Sequence, residues 1–278
     1  VRPAVANVRD NGITELYAPE NDSAQADIVF VHGLQGHPRK TWAVQQTIKK
    51  KGWRKLFGES KSKLDSGAES EKVEYWPEQL LPLDQKNIRL LTYGYDSKVT
   101  KGFAEPNSKN GIFEHGGSLL KAVGRHRATC LGRAIIFVAH SLGGLVVKQA
   151  LIEAKKQADR DNHLYDVYVS TYAVIFLGTP HRGASPAHWG SILSAIAEAA
   201  LIDSNRTILK ELVPSGSSKL LELRLDFNDV LEDKARGPFP CLKVFTYQEE
   251  LGMSGVKPFG GKVRLDFGMP NSLLTLHR

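Results

Sequence analysis

Short apolar runs rich in β-branched residues recur along the chain: "DIVFVHG" (27–33), "NIRLLTYGYD" (87–96), "AIIFVAH" (134–140), "YAVIFLGTPH" (172–181) and "CLKVFTYQEE" (241–250). Several are apolar at successive positions rather than alternating, as in strands of a parallel sheet buried on both faces. "KVRLDF" (262–267) reads as a weaker last strand and "GITELYAP" (12–19) as an antiparallel lead-in. Between the strands the period becomes helical. "IFEHGGSLLKAVGRHR" (112–127) is a helix whose start Gly116 and Gly117 weaken. After the third central strand, Leu142, Leu145, Val146 and Ala150 share one helical face. The alternation predicts an α/β fold: a mostly parallel sheet, right-handed crossovers and helices on both faces.

From Ala184 to Asp233 the text changes to consecutive amphipathic helices with no strand between them. This stretch is expected to be a helical insertion or lid after the sixth strand, over the sheet edge where ligands of open α/β sheets bind. The whole chain, 1–278, reads as a single domain.

Composition narrows the class. The chain is 41% hydrophobic and 24% charged, neither a disordered nor a membrane composition. No apolar run is long enough to span a bilayer. Two cysteines far apart, Cys130 and Cys241, do not make a disulfide scaffold, and a reduced, cytoplasmic setting is expected. Much of the net charge of +7 comes from "KKKGWRKLFGESKSK" (49–63), which reads as a solvated insert. Peripheral contact with an anionic membrane is the sharper reading of that charge. The pattern of a nucleic-acid module is missing. The start "VRPAV" and the end "TLHR" read as those of a segment of a longer protein.

The chemistry centres on Ser141, in "IIFVAHSLGGLVVKQAL" (135–151). A strand that feeds directly into a helix turns too sharply for bulk two residues either side of the tip. Ala139 and Gly143 meet that need as A-H-S-L-G, with Ala139 in place of the usual glycine. The hydroxyl then projects above the strand ends, and the helix aims its free N–H groups at the same spot. An N-cap serine opening an ordinary helix is the plainer alternative. "VFVHGLQG" (29–36) supplies the context, because His-Gly after the first core strand is where an α/β hydrolase places its second oxyanion donor. The donors are assigned to the Leu34 and Leu142 amides.

A serine nucleophile needs a base and an orienting acid, in the chain order Ser, acid, His on this fold. Of nine histidines, His32, His37, His115 and His126 precede the serine and His140 adjoins it. His163, His181 and His188 precede the late strands, so His277 is the base that order allows. The acid is Glu249 or Glu250 at a strand end, with Glu249 favoured.

These motifs together, with "WPEQLLP" and "VIFLGTPHRGAS", resemble the serine esterase/lipase domain of the α/β-hydrolase superfamily. The nearest resemblance is to the SesB-type N-terminal effector domain of fungal NLR-like proteins. The serine-active-site-containing proteins, of the mitochondrial phosphatidylglycerol-remodelling type, are similar. The resemblance implies an α/β-hydrolase fold and a triad of Ser141, His277 and Glu249. It implies a pocket lined by Thr179, His181 and Arg182, alongside His32, Gly33 and His140. It implies fusion to nucleotide-binding and repeat domains.

The expected activity is hydrolysis of carboxylic esters, with lipid or other apolar acyl groups, through an acyl-enzyme and with no metal or organic cofactor. The alternative is a non-catalytic effector or interaction module on the same fold.

Overall fold

The computed structural model describes residues 7–47, 71–97, 111–158, 162–179, 207–238 and 240–247. The strands among them are β1 (Gly12–Tyr17), β2 (Ala26–Val31), β3 (Ala43–Thr47), β4 (Glu71–Tyr75), β5 (Ile88–Gly94), β6 (Ala134–His140), β7 (Thr171–Leu177) and β8 (Lys243–Tyr247). The helices are α1 (Trp76–Gln79), α2 (Leu81–Asp84), α3 (Gly111–His126), α4 (Gly143–Lys155), α5 (Asn162–Ser170) and α6 (Thr207–Arg236). Six strands form one sheet in the order β1-β5-β2-β6-β7-β8, parallel except for β1, which runs antiparallel to β5. The lead-in, the five strong apolar runs and the helix at 112–127 therefore all become the elements their patterns predict. "KVRLDF" lies outside the described residues.

The continuous apolar runs follow from cover on both faces. Successive side chains of a strand point to opposite sides. On β2, Val29 and Val31 face a core built with α3, α4, α5 and α6, while Phe30 faces a second cluster with Trp42, Tyr75 and Leu90; all three β2 residues are fully buried.

That second cluster takes in residues on both sides of the stretch expected at 49–63 to be a solvated insert, Trp42 before it and Tyr75 after it. β4 pairs antiparallel with β3 in a two-stranded ribbon, and Tyr75 at its end is buried. The Tyr75 hydroxyl donates to the Pro38 carbonyl at 3.0 Å. The basic stretch at 49–63 is outside the described residues.

α4 is buried all round from Gly143 to Ile152, not on one face, because the sheet, α3, α5 and α6 enclose it. Gly116 lets α3 come close: a Cβ there would meet the Gln149 side chain at 2.5 Å. At the opposite edge of the sheet from the α4 N-terminus, Asp27 of β2 is fully buried. It accepts two bonds of 2.8 Å from Arg89 and a further one from Arg127, and Arg127 also holds Asp166 at 3.0 Å.

α6 follows β7, the fifth strand of the large sheet in chain order. Lys155 pairs with Asp229 at 2.9 Å, and the Lys148 ammonium lies 5.1 Å from the Phe227 ring. The two helices thus run alongside in one direction, from the carboxyl edge downwards.

Candidate active site

Two neighbouring strands, β2 and β6, define the site, because the strand order reverses between them: β5 lies on one side of β2, and β6, β7 and β8 continue on the other. Loops leaving the carboxyl ends at such a reversal diverge and open a crevice. The last registered pair is Val31 with Ala139. Two residues further on stand Gly33 and Ser141.

Ser141 has φ of +50°, in the left-handed region that costs an ordinary residue about 1–2 kcal/mol. The strain is held from three sides. The Ser141 amide donates to Leu177 O, at the end of β7, at 2.8 Å. Its carbonyl accepts from the Thr179 hydroxyl at 3.1 Å and from the Gly144 amide at 3.1 Å. Small residues make the approach possible. A Cβ on Gly33 would lie 2.7 Å from Ser141 Cβ, and one on Gly143 would lie 2.4 Å from His32 O. The β2 loop and the α4 N-terminus are therefore pressed against the serine and against each other.

The second loop is a tight turn. Gly36 N–H donates to Gly33 O at 3.0 Å, Gln35 takes φ of +53°, and Gln35 N–H donates to Ser97 O at 3.0 Å. Among the described residues, no acceptor takes the amide of Leu34 or of Leu142. Both amides sit on the two loops that meet at Ser141.

His32 is fully enclosed behind the loop. Its partners fix its tautomer. Nδ1–H donates to Gly33 O at 3.0 Å, because a carbonyl only accepts, and Nε2 accepts from the Tyr95 amide at 3.4 Å. Burial pushes its pKa down to about 4; the bond to Gly33 opposes that and the nearby His37, His140 and His115 add to it.

A depressed imidazole pKa makes stability pH-dependent. Unfolded His32 titrates near 6.5. Its contribution is complete above that pH and is lost as pH falls through the window from about 6.5 to about 4, a total of about 3 kcal/mol. Urea denaturation across this window should show that loss, and His32→Phe, which cannot titrate, should show a slope smaller by that amount. Equal slopes would mean that His32 is not held neutral.

The structure thus brings together Ser141, Leu34, Leu142, Gly33, His32, His140 and Thr179. His140 lies beside Gly33, with its ring edge-on to Trp42 at 6.4 Å. Thr179 is buried and spends its hydroxyl on the serine's own carbonyl. Glu249, Glu250, His277, His181 and Arg182 lie outside the described residues. Sequence reasoning missed Tyr95, whose hydroxyl donates to His32 O at 2.8 Å. Its one signal is a second tyrosine at the end of an apolar strand, which by itself says nothing of a role.

A mostly parallel sheet, with a serine at positive φ between a central strand and its helix, defines an α/β-hydrolase fold. The chain is similar to several known proteins. A family model described as "Putative serine esterase (DUF676)" matches residues 99–219, which include the Ser141 turn. Protein SERAC1 of Danio rerio is 30% identical over 193 residues, 68% of this chain and 27% of that protein. Protein SERAC1 of Bos taurus is 27% identical over 238 residues, 84% of this chain and 33% of that protein. The chain thus spans about a third or less of the curated relatives it matches. Among solved structures, the mature form of Bacillus licheniformis lipase BlEst2 is 17% identical, with 83% of this chain and 87% of that one covered and a TM-score of 0.40. Among the described residues, no helix is long and apolar enough to cross a membrane.

Proposed function

We propose that this chain is a serine hydrolase of carboxylic esters. The observation that carries the reading is Ser141: a strained φ of +50° at the one junction where strand, helix and oxyanion loop converge. Such strain persists only where the surroundings enforce it, and it presents the hydroxyl at the tip of the turn. In the mechanism, Ser141 Oγ attacks the ester carbonyl and the Leu34 and Leu142 amides hold the resulting oxyanion. His277 accepts the serine proton and returns it to the leaving alcohol, and Glu249 orients the imidazolium. Water then hydrolyses the acyl-enzyme with the same histidine as base. Those two roles come from chain order and the family resemblance.

An apolar acyl group fits best. The support for it is the amphipathic pattern of residues 184–233, which a lid over the carboxyl edge of the sheet would carry.

A fluorophosphonate probe tests the reading. Labelling should occur on folded protein and map to Ser141, and hydrolysis of p-nitrophenyl esters should rise from short to medium acyl chains. Folded protein that neither labels nor turns over any ester would end the hydrolase reading in favour of an interaction module.

A further inference from the structure

We propose that Tyr95 and His32 together are positioning residues that set the aim of the Leu34 amide. This rests on the hydrolase reading above.

The argument begins with one peptide plane. The Gly33 carbonyl and the Leu34 amide belong to the same peptide unit, where C=O and N–H point in opposite directions. Whatever holds Gly33 O therefore orients Leu34 N–H. Two donors hold it, His32 Nδ1–H at 3.0 Å and Gly36 N–H at 3.0 Å, both from inside the turn. The Leu34 amide is consequently turned outward. The imidazole donor can be aimed only if its ring is fixed, and Tyr95 fixes it. The Tyr95 ring stacks on His32 with centroids 4.4 Å apart and planes 11° from parallel. The Tyr95 amide caps His32 Nε2, so Nδ1 keeps its hydrogen. The Tyr95 hydroxyl donates to His32 O at 2.8 Å. That same carbonyl is the atom against which Gly143, the first residue of α4, is packed. Tyr95 is itself immobilised, with His115 at 4.7 Å and Tyr93 at 5.8 Å. One tyrosine thus fixes the carbonyl that bears on α4 and the imidazole that orients the oxyanion loop.

The consequence is a specific kinetic signature. An oxyanion donor acts on the transition state far more than on the bound ester, so misaiming it lowers kcat and leaves KM. Loss of a whole donor costs roughly 100- to 1000-fold in kcat. Misalignment, with Gly36 still holding Gly33 O, should cost less.

The test uses kcat and KM for a p-nitrophenyl ester, together with the rate of fluorophosphonate labelling. Tyr95→Phe keeps both stacks and deletes only the hydroxyl; kcat and the labelling rate should fall about 5- to 20-fold with KM within twofold. His32→Phe keeps the stack and deletes both imidazole bonds; the fall should be about 20- to 100-fold. His32→Asn restores an N–H near the Nδ1 position and should recover at least fivefold over His32→Phe. If His32→Phe does not fold, Tyr95→Phe and His32→Asn decide. Wild-type protein that labels at Ser141 while Tyr95→Phe labels and turns over as fast would overturn this inference alone. Equal KM and kcat losses, or no gain of asparagine over phenylalanine, would also overturn it. Wild-type protein that does not label removes the hydrolase reading and this inference with it.

Discussion

Ser141→Ala should lose ester hydrolysis by roughly five to six orders of magnitude, because removal of the nucleophile of a triad costs about a millionfold in turnover. The fold should survive. The Ser141 hydroxyl makes none of the three bonds that hold the turn: these run through its backbone amide and carbonyl, which alanine retains. Alanine also retains the Cβ that Gly33 packs against. Stability should therefore stay within about 0.5 kcal/mol of the parent, the usual range for a change that breaks no packing or network. Ser141→Gly separates strain from chemistry. Glycine adopts φ of +50° at no steric cost, so this equally inactive variant should gain up to about 1 kcal/mol. Urea denaturation of the three proteins, with a p-nitrophenyl ester assay, reads both effects. Appreciable turnover by a folded Ser141→Ala protein would place the nucleophile elsewhere, and a Ser141→Gly protein less stable than the alanine variant would deny the strain.

Ser141 was legible in the sequence because its geometry is local: Ala139, Gly143 and the flanking strand and helix all lie within a few residues. His32 and Gly33 were legible for the same reason. What depends on distant partners was not. Lys148, a charged residue of α4, is only 5% exposed, with its ammonium 5.5 Å from the Phe176 ring and 5.1 Å from Phe227. Burial pushes its pKa down to about 8, helped by Arg224. β7 and α6, farther along the chain, reveal this. β3 and β4 escaped notice because residues 48–70 separate them, and no two-residue turn signals the pairing. Tyr95 escaped because its significance lies in what it stacks on, His32 of another strand. The base and acid depend on distant partners in the same way. Neither has a local motif: chain order and the family resemblance select His277, and Glu249 is favoured over its neighbour Glu250.

Gly143→Ala should destabilise the protein by more than about 3 kcal/mol, and Gly143→Val should prevent folding at 37 °C. The reason is that the obstruction is backbone. A Cβ at position 143 would sit 2.4 Å from His32 O and 2.6 Å from Val31 O, both in the segment where β2 ends. A flexible side chain would swing aside, but these carbonyls cannot. Val31 lies in the sheet between β5 and β6, and His32 O is held by the Tyr95 hydroxyl. The helix must therefore retreat, and α4 is enclosed on every side, so its retreat disturbs the packing of the whole core. Activity should suffer beyond the loss of folded protein, since the Leu142 amide moves with the helix. Assayed at 15 °C on the folded fraction, Gly143→Ala should show kcat at least tenfold below the parent. Gly117→Ala is the control. A Cβ there meets nothing within 4 Å, so an alanine inside α3 should instead add about 0.5–1 kcal/mol. If Gly143→Ala matched Gly117→Ala in urea denaturation, the close seating of α4 on the end of β2 would be wrong. The account of how the serine, the loop after β2 and the helix N-terminus are held together would fall with it.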